Sequence, residues 1–341
     1  MKRLRVAGAA VLGLLLVAAT FAAFRANTFL HSPVTVGEGG VDFIIESGSS
    51  FHTVSDNLAE LGLITHPHVL RAYARWKGAA GSIHAGDYHI RAGTTPAQLL
   101  EQFTSGDVKL YSFTIVEGWN HWELLQALQR HEFIEATLTD EDWGSLLEEL
   151  GAEAGHPEGL FLPETYHFPR NSTDRDILRQ AYALMQEALA EEWPDRDEKL
   201  PISTPYEALI LASIIEKETA RADERPRISG VFTRRLQKRM RLQTDPTVIY
   251  GIGPEFNGNL TRRDLRTDTP YNTYTRGGLP PTPIAMPGRA AIRAALHPAA
   301  GDELYFVATG LGDGSHAFST TKEEHDAAVA EYLRRLRQQR N

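Results

Sequence analysis

The chain has 341 residues, which is enough for two domains with a sizeable core. Its 35 basic and 44 acidic residues give a net charge of -9, so no nucleic-acid partner is expected. Cysteine is absent, which excludes disulfides and thiolate metal sites, and the scattered histidines lack zinc-site spacing. The composition therefore calls for neither a metal nor a cofactor.

The N-terminal residues have the pattern of a membrane anchor. Three basic side chains lie in residues 1–5, and residues 6–24 form an uncharged apolar stretch close to the length that spans a bilayer. The preceding positive charges put the N-terminus in the cytoplasm and the bulk of the chain outside the inner (cytoplasmic) membrane, as a single-pass protein. The alternative is a cleaved signal peptide, because small residues stand at Ala22 and Ala23.

Residues 25–40 have the composition of a linker, and a small α/β domain follows over residues 41–110. Within it, the apolar patterns predict strands at 41–45 and 83–90. Helices are expected after a cap at Ser50 or Thr53, near residues 68–76, and at 95–103, where Pro96 stands near the start.

Residues 111–341 form a larger domain, and the whole chain has the pattern of an α+β protein with mixed sheets. Strands are expected at 113–118, 247–250 and 304–308, the last one buried. Helices are expected at 121–130, 140–153, 173–193, 205–219, 230–239 and 323–339. The basic residues of the 230–239 helix are either a solvated face, which such runs favour, or a site for acidic groups; they are Arg234, Arg235, Lys238 and Arg239.

Two carboxylates stand inside the apolar helical segment LASIIEKET, residues 211–219. Helical geometry places Glu218 on one face with Leu211, Ile214 and Ile215, whereas Glu216 projects away from that face. A carboxylate in dry surroundings keeps its proton near neutral pH and acts as an acid. Glu218 is therefore the candidate catalytic residue, the alternative being an amphipathic helix with two solvated acids.

Polar and aromatic side chains crowd two later segments, residues 241–251 (RLQTDPTVIYG) and 269–283 (TPYNTYTRGGLPPTP). Rings that stack on sugar faces, with Asn, Thr and Gln as paired donors and acceptors, are typical of a carbohydrate groove. A plain proline-rich loop is the alternative.

Four motifs in this order, ASIIEKET, RLQTDPTVIYGIG, TPYNTYTRGGLPPTPIAMPG and HPAA with LYFVA, resemble the endolytic murein transglycosylase (MltG or YceG-like) family. The resemblance runs from the anchor to the last helix. It implies a LysM-like module at 41–110, where HAGDYHI is similar to a family strand, and a catalytic domain at 111–341. The module is either a glycan binder or a spacer. EGLFLPETYHF (158–168) resembles a further signature, in which Glu164 stands where the family often has Asp.

The resemblance implies a lyase that cuts MurNAc–GlcNAc bonds inside nascent glycan strands and leaves 1,6-anhydroMurNAc ends. Glu218 would be its acid and base. We assign seven further residues to substrate binding or orientation: Glu216, Gln243, Asp245, Tyr250, Asn272, Tyr274 and Glu164. Glu164 is either part of the cleft or a loop acid that caps a turn. The resemblance also implies peptidoglycan and penicillin-binding synthases as partners.

Two rival functions stay open. In a hydrolase, Asp245 or Glu216 would activate water or attack directly, with Glu218 as the acid. In a membrane-anchored wall-binding scaffold, the same groove would bind glycan without turnover. The apolar placement of Glu218 argues against the scaffold, because a dry acid is costly to keep.

Overall fold

The computed structural model describes residues 2–340, with side chains from residue 10 to residue 339. The chain divides into two compact units. The smaller unit contains the residues up to Tyr111 together with His167–Asn171, and the larger one contains Ser112–Tyr166 and the residues from Ser172 onward.

The chain begins with one long helix, α1 (Lys2–His31). Its segment Ala10–His31 is long and apolar enough to cross a membrane, and its most apolar part is not buried in the protein. The expected linker over residues 25–40 is wrong for its first seven residues, because the helix continues through them. Beyond the helix, Val34 is buried in the small unit and its N–H donates to Thr94 O at 2.8 Å.

The smaller unit is built on one two-stranded antiparallel sheet, paired from Val41–Ile90 to Ile45–Gly86. Its elements are β1 (Val41–Ile45), α2 (Phe51–Glu60), α3 (Pro67–Trp76), β2 (Gly86–Ile90) and α4 (Pro96–Ser105). Ser50 caps α2 by accepting from Thr53 N, and Thr95 caps α4 in a capping box with Gln98. The helices pack their apolar faces on the sheet, so this unit has its own core.

The larger unit is mostly helical, with short strands. Its helices are α5 (His121–Gln129), α6 (Trp143–Glu149), α7 (Asp174–Glu192), α8 (Pro205–Glu218), α9 (Arg225–Gln237), α10 (Asp245–Ile252), α11 (Arg289–Leu296) and α12 (Lys322–Arg340). Its strands are β4 (Ile134–Glu135), β6 (Ser172–Thr173), β7 (Tyr305–Ala308) and β8 (His316–Ser319), and two further strands, β3 (Leu110–Thr114) and β5 (Thr165–Pro169), have residues in both units. β3 pairs with β5, β4 runs parallel to β6, and β7 runs antiparallel to β8. This confirms the mixed α+β class.

Helix α8 is the centre of the larger unit. Residues 208–215 are buried without interruption, and the helix packs against α9, α10 and α11. Thr204 caps its start, Pro205 occupies the first turn, and the helix ends at Glu218 because Thr219 is extended. A helix buried on all sides holds the side chains at its end in fixed positions.

Two expectations from the sequence are wrong in this unit. Residues 247–250 are not a strand but belong to α10, which begins at Asp245 with Pro246 in its first turn. An acidic residue followed by proline favours a helix start, and this outweighs the strand preference of a short β-branched run. The strand expected at 304–308, which is β7, is half-buried rather than buried.

The basic residues of α9 are also not a solvated face. Arg235 is buried, and its guanidinium donates to Leu304 O at 2.6 Å and to Leu242 O at 2.9 Å. Arg234 forms an ion pair with Glu303 at 3.1 Å. Both side chains therefore tie α9 to the segment that leads into β7, and of the four basic residues predicted on this helix only Lys238 and Arg239, just beyond its end, are exposed.

Candidate active site

The carboxyl of Glu218 lies at the C-terminal end of the buried helix α8. Its pKa is raised to about 7, chiefly by burial and to a smaller extent by the charge of Asp245, while the Thr244 hydroxyl and Arg235 act in the opposite direction. The negative end of the helix dipole adds to the cost of ionising a carboxyl there. The side chain keeps a minor exposed fraction although protein crowds its carboxyl, so it is both protonated near neutrality and reachable by a ligand.

Thr244 holds the Glu218 carboxyl in place. Its hydroxyl donates to Glu218 Oε1, although Thr244 occupies the N-cap position of α10, where a threonine usually bonds the helix's own N–H groups. The backbone of Thr244 is fixed as well, since its N–H donates to Thr273 Oγ1 at 3.1 Å and its carbonyl accepts from Thr247 Oγ1 at 2.8 Å. A buried threonine whose backbone is anchored by two hydrogen bonds therefore orients the acid through its hydroxyl.

Asp245 is the second carboxylate near Glu218, and unlike Glu218 it is exposed. Its Oδ1 accepts from the Tyr274 hydroxyl at 2.6 Å, and this contact together with burial raises the pKa of Tyr274. Gln243 precedes Thr244 with a left-handed backbone (φ 51°) and an exposed side chain, and its N–H donates to Thr273 O. The structure thus brings Glu218, Asp245, Tyr274 and the Gln243 segment close together.

Asn272 has a different position from the one expected for a sugar-binding residue. It is fully buried, and its Nδ2 lies 2.7 Å from Thr267 O and within bonding distance of two further carbonyls. Its Oδ1 accepts from Tyr274 N at 2.8 Å. All its polar atoms are used inside the chain, so Asn272 shapes the loop that carries Tyr274 instead of contacting a ligand.

Glu216 is also committed to the protein itself. Its Oε1 accepts from the Arg225 guanidinium at 2.9 Å, and its Oε2 accepts from Gly288 N at 3.0 Å. The side chain is 5% exposed, and burial raises its pKa. Glu216 joins α8 to α9 and to the start of α11, and its substrate contact stays a prediction.

Tyr250 and Glu164 lie apart from the Glu218 carboxyl. The Tyr250 hydroxyl donates to Glu158 Oε2 at 2.9 Å, and its ring stacks on Trp122 with 5.2 Å between centroids. Glu164 is exposed before β5 and accepts from Thr165 N at 3.1 Å, so it bonds its own turn. Within the described part of the chain, none of the contacts of Glu164 involves Glu218 or Asp245.

Several functional contacts were not foreseen from the sequence. Thr244 lies inside a recognised motif, but its bond to a residue 26 positions earlier leaves no periodic signal. Glu158 is fully buried and accepts from the backbone and ring of His121 and from Tyr250. Its place in the EGLFLPETYHF segment was the available clue. Residues 2–340 contain no group of three or more His, Asp or Glu side chains arranged to hold a metal ion.

Comparison with known proteins matches most of the chain. A sequence profile of the YceG-like family covers residues 43–331. An endolytic murein transglycosylase of Bacillus subtilis is 32% identical over 310 residues, which is 86% of this chain and 85% of the relative. Another of Streptococcus pneumoniae, strain D39, is 28% identical over 334 residues, or 88% of this chain and 58% of the relative.

Among solved structures, a YceG-like protein of Listeria monocytogenes is 27% identical, with 85% of this chain and 99% of that chain covered and a TM-score of 0.49. The matched range of the family profile, 43–331, includes every residue described above for the site.

Proposed function

The chain belongs to the YceG-like family, and on that premise we propose that it is a lytic transglycosylase that cuts peptidoglycan glycan strands from within. The enzyme class is that of its curated relatives, which are named endolytic murein transglycosylases. The observation that carries the proposal is the Glu218 carboxyl, whose pKa of about 7 fits a group that donates and recovers a proton near neutral pH.

The proposed reaction needs one acid and no water. Protonated Glu218 donates its proton to the glycosidic oxygen between MurNAc and GlcNAc, and the bond from that oxygen to the anomeric carbon of MurNAc breaks. The 6-hydroxyl of the same MurNAc bonds to the anomeric carbon and gives its proton to Glu218. A 1,6-anhydro ring forms, the GlcNAc side leaves with a free hydroxyl, and the acid is restored. The tethered nucleophile gains from proximity.

The neighbours of Glu218 have distinct proposed roles. Thr244 orients the carboxyl through its hydrogen bond. The exposed Asp245 carboxylate stabilises positive charge that develops at the anomeric carbon, and Tyr274 fixes its orientation. Gln243, which lies in the same loop as Thr244, contacts sugar hydroxyls. Tyr250 contributes a ring face at the edge of the sugar-binding site.

A hydrolase is the second candidate, and the exposed Asp245 beside Glu218 is the observation that favours it. In that reaction Asp245 would activate water or attack the sugar, and each product pair would carry one added water. Glu216 cannot take that role while both its oxygens bind Arg225 and Gly288.

The membrane location is part of the proposal. The apolar segment Ala10–His31 would cross the inner membrane once, with the N-terminus in the cytoplasm and the catalytic unit outside. Anchored there, the enzyme meets glycan strands as they emerge and limits their length. A LysM-like role for residues 41–110 and an association with penicillin-binding synthases belong to the same proposal.

The test is mass spectrometry of the products that the full-length protein in detergent forms from uncrosslinked glycan strands. Wild type is compared with Glu218→Gln, with thermal unfolding of both as the control for folding. Anhydro-ended fragments from the wild type alone support the lyase and its acid. Fragments heavier by one water support the hydrolase. If the wild type binds the strands but does not cut them, both enzymatic functions are refuted and the wall-binding scaffold is supported.

A further inference from the structure

A cavity of about 370 Å³ lies within the larger unit. Its lining includes Asn120, Trp122, Lys217, Pro246 and Tyr250. Lys217 precedes Glu218 in α8, and Pro246 follows Asp245 in α10, so the cavity adjoins the segments that carry both carboxylates. Its volume falls in the range of small-molecule sites, and among its lining residues only Tyr250 has a role in the steps above. We call it the Lys217 pocket.

One wall of the Lys217 pocket is a fixed aromatic platform. The rings of Trp122 and Tyr250 stack at an angle of 27°. The Tyr250 hydroxyl is held by Glu158, which also accepts from His121 Nδ1 at 2.7 Å, so this ring cannot turn freely. Trp122 stays partly exposed and offers a flat apolar surface to the pocket. Such a surface packs well against the C–H faces of a sugar or against a peptide side chain.

The pocket also holds a cation without an acidic partner. Lys217 Nζ donates to Gly118 O at 3.0 Å, which positions the ammonium and leaves two of its three N–H donors available. Among the described residues, no carboxylate forms an ion pair with Lys217. Glu123 also lines the pocket, but its Oε2 accepts from Asn120 N in the capping box of α5.

Charge identifies the ligand that this pocket suits. The chain carries a net charge of -9, so a positioned lysine without a counter-ion beside the acid is a local exception. In a stem-bearing strand the lactyl carboxyl of each muramic acid is an amide and the free carboxylates lie along the peptide stem, whereas a strand stripped of its stems carries its carboxylates on the lactyl groups at the sugar rings. A lysine ammonium pairs with such a carboxylate as a point charge.

We propose that the Lys217 pocket binds the peptide stem of a muramyl residue next to the scissile bond. Lys217 pairs with a stem carboxylate, and the Trp122–Tyr250 platform packs against the adjoining sugar or stem. The inference rests on the proposed function and adds a specificity: the enzyme prefers strands that carry stems over the same strands without them.

The experiment uses the full-length protein and two substrates, which are stem-bearing strands and the same strands stripped of their stems by an amidase. The KM for formation of new chain ends is measured for wild type and Lys217→Gln. We expect the ratio of KM on stem-bearing strands to KM on stripped strands to rise about tenfold in the variant, with partial recovery in Lys217→Arg. Lys199→Gln removes an exposed lysine elsewhere in the unit and serves as the matched control.

An unchanged or lowered ratio in Lys217→Gln, or an equal change in Lys199→Gln, overturns the proposal. A lowered ratio would mean that Lys217 pairs with the lactyl carboxylate that the amidase leaves on stripped strands. Binding is measured separately in the Glu218→Gln background, where the added Lys217→Gln change weakens binding of stem-bearing strands more than binding of stripped ones. This second measurement does not need turnover. If the wild type fails to cut either substrate, the proposed function fails while the pocket is still tested by the binding difference.

Discussion

Two substitutions beside Glu218 should move the pH dependence of the reaction in opposite directions. Thr244→Val removes a hydrogen bond that favours the ionised carboxyl, so the pKa of Glu218 rises. Asp245→Asn removes a negative charge that disfavours ionisation, so the pKa falls. Because the acid works only when protonated, kcat/KM is full well below pH 7 and declines as pH rises through the pKa of Glu218.

The magnitudes follow from the environment of each partner. A hydrogen bond to a charged group contributes about 1.5 kcal/mol or more, and one pKa unit corresponds to about 1.4 kcal/mol. The decline in Thr244→Val should therefore move to higher pH by about one unit. Asp245 is exposed, and close charges in water interact by only about 1 kcal/mol, so Asp245→Asn should move the decline down by about half a unit.

The assay is kcat/KM for release of new chain ends between pH 5 and pH 9 at constant ionic strength. Thr244→Ser keeps the hydroxyl and is the matched control, so its profile should follow the wild type. The position of the decline is the readout, because Asp245→Asn also lowers the overall rate. Profiles that shift in the same direction, or a decline that stays near pH 7 in both variants, would refute Glu218 as the titrating acid.

Three further predictions test the energetics around the site. Ionising Glu218 costs stability in the folded state only, so Glu218→Gln should match the wild type near pH 4 and be more stable by up to about 3 kcal/mol at pH 8 in urea unfolding. Arg225→Met leaves Glu216 buried without its cation and should cost about 3 kcal/mol in thermal unfolding, and adding Glu216→Gln should recover part of it; equal losses would contradict the pairing. Asn272→Ala should lower the free energy of unfolding by about 2 kcal/mol through its lost loop bonds, whereas an unchanged stability with a raised KM would indicate direct sugar contact.

The sequence predicted the helices well where an apolar face and a cap coincide. Helix α7 begins after Thr173 and α8 begins at Pro205, both within a residue of expectation, because capping side chains mark the starts locally. Residues 247–250 were wrongly predicted as a strand, because a short run of Thr, Val, Ile and Tyr fits a strand as well as a buried turn of helix. Only the preceding Asp245 and Pro246 distinguish the two.

The site was predictable only in its local part. The helical period separated Glu218 from Glu216, since that distinction depends on 100° per residue alone. The partners of Glu216 on two other helices, the hydroxyl that orients Glu218 and the buried bonds of Asn272 all join distant segments. From its polarity alone, Asn272 was therefore predicted to bind the ligand, whereas in the structure its polar atoms bond the loop that carries Tyr274.

The continuation of α1 to His31 connects the helix directly to the small unit. Leu30 near the helix end and Val34 just beyond it belong to the core of that unit, so no flexible tether separates the helix from the fold. On the proposed membrane location, α1 would therefore act as a rigid stalk. Any tilt or rotation of the helix in the bilayer would become a tilt or rotation of the small unit, and helix length would set the height of that unit above the lipid.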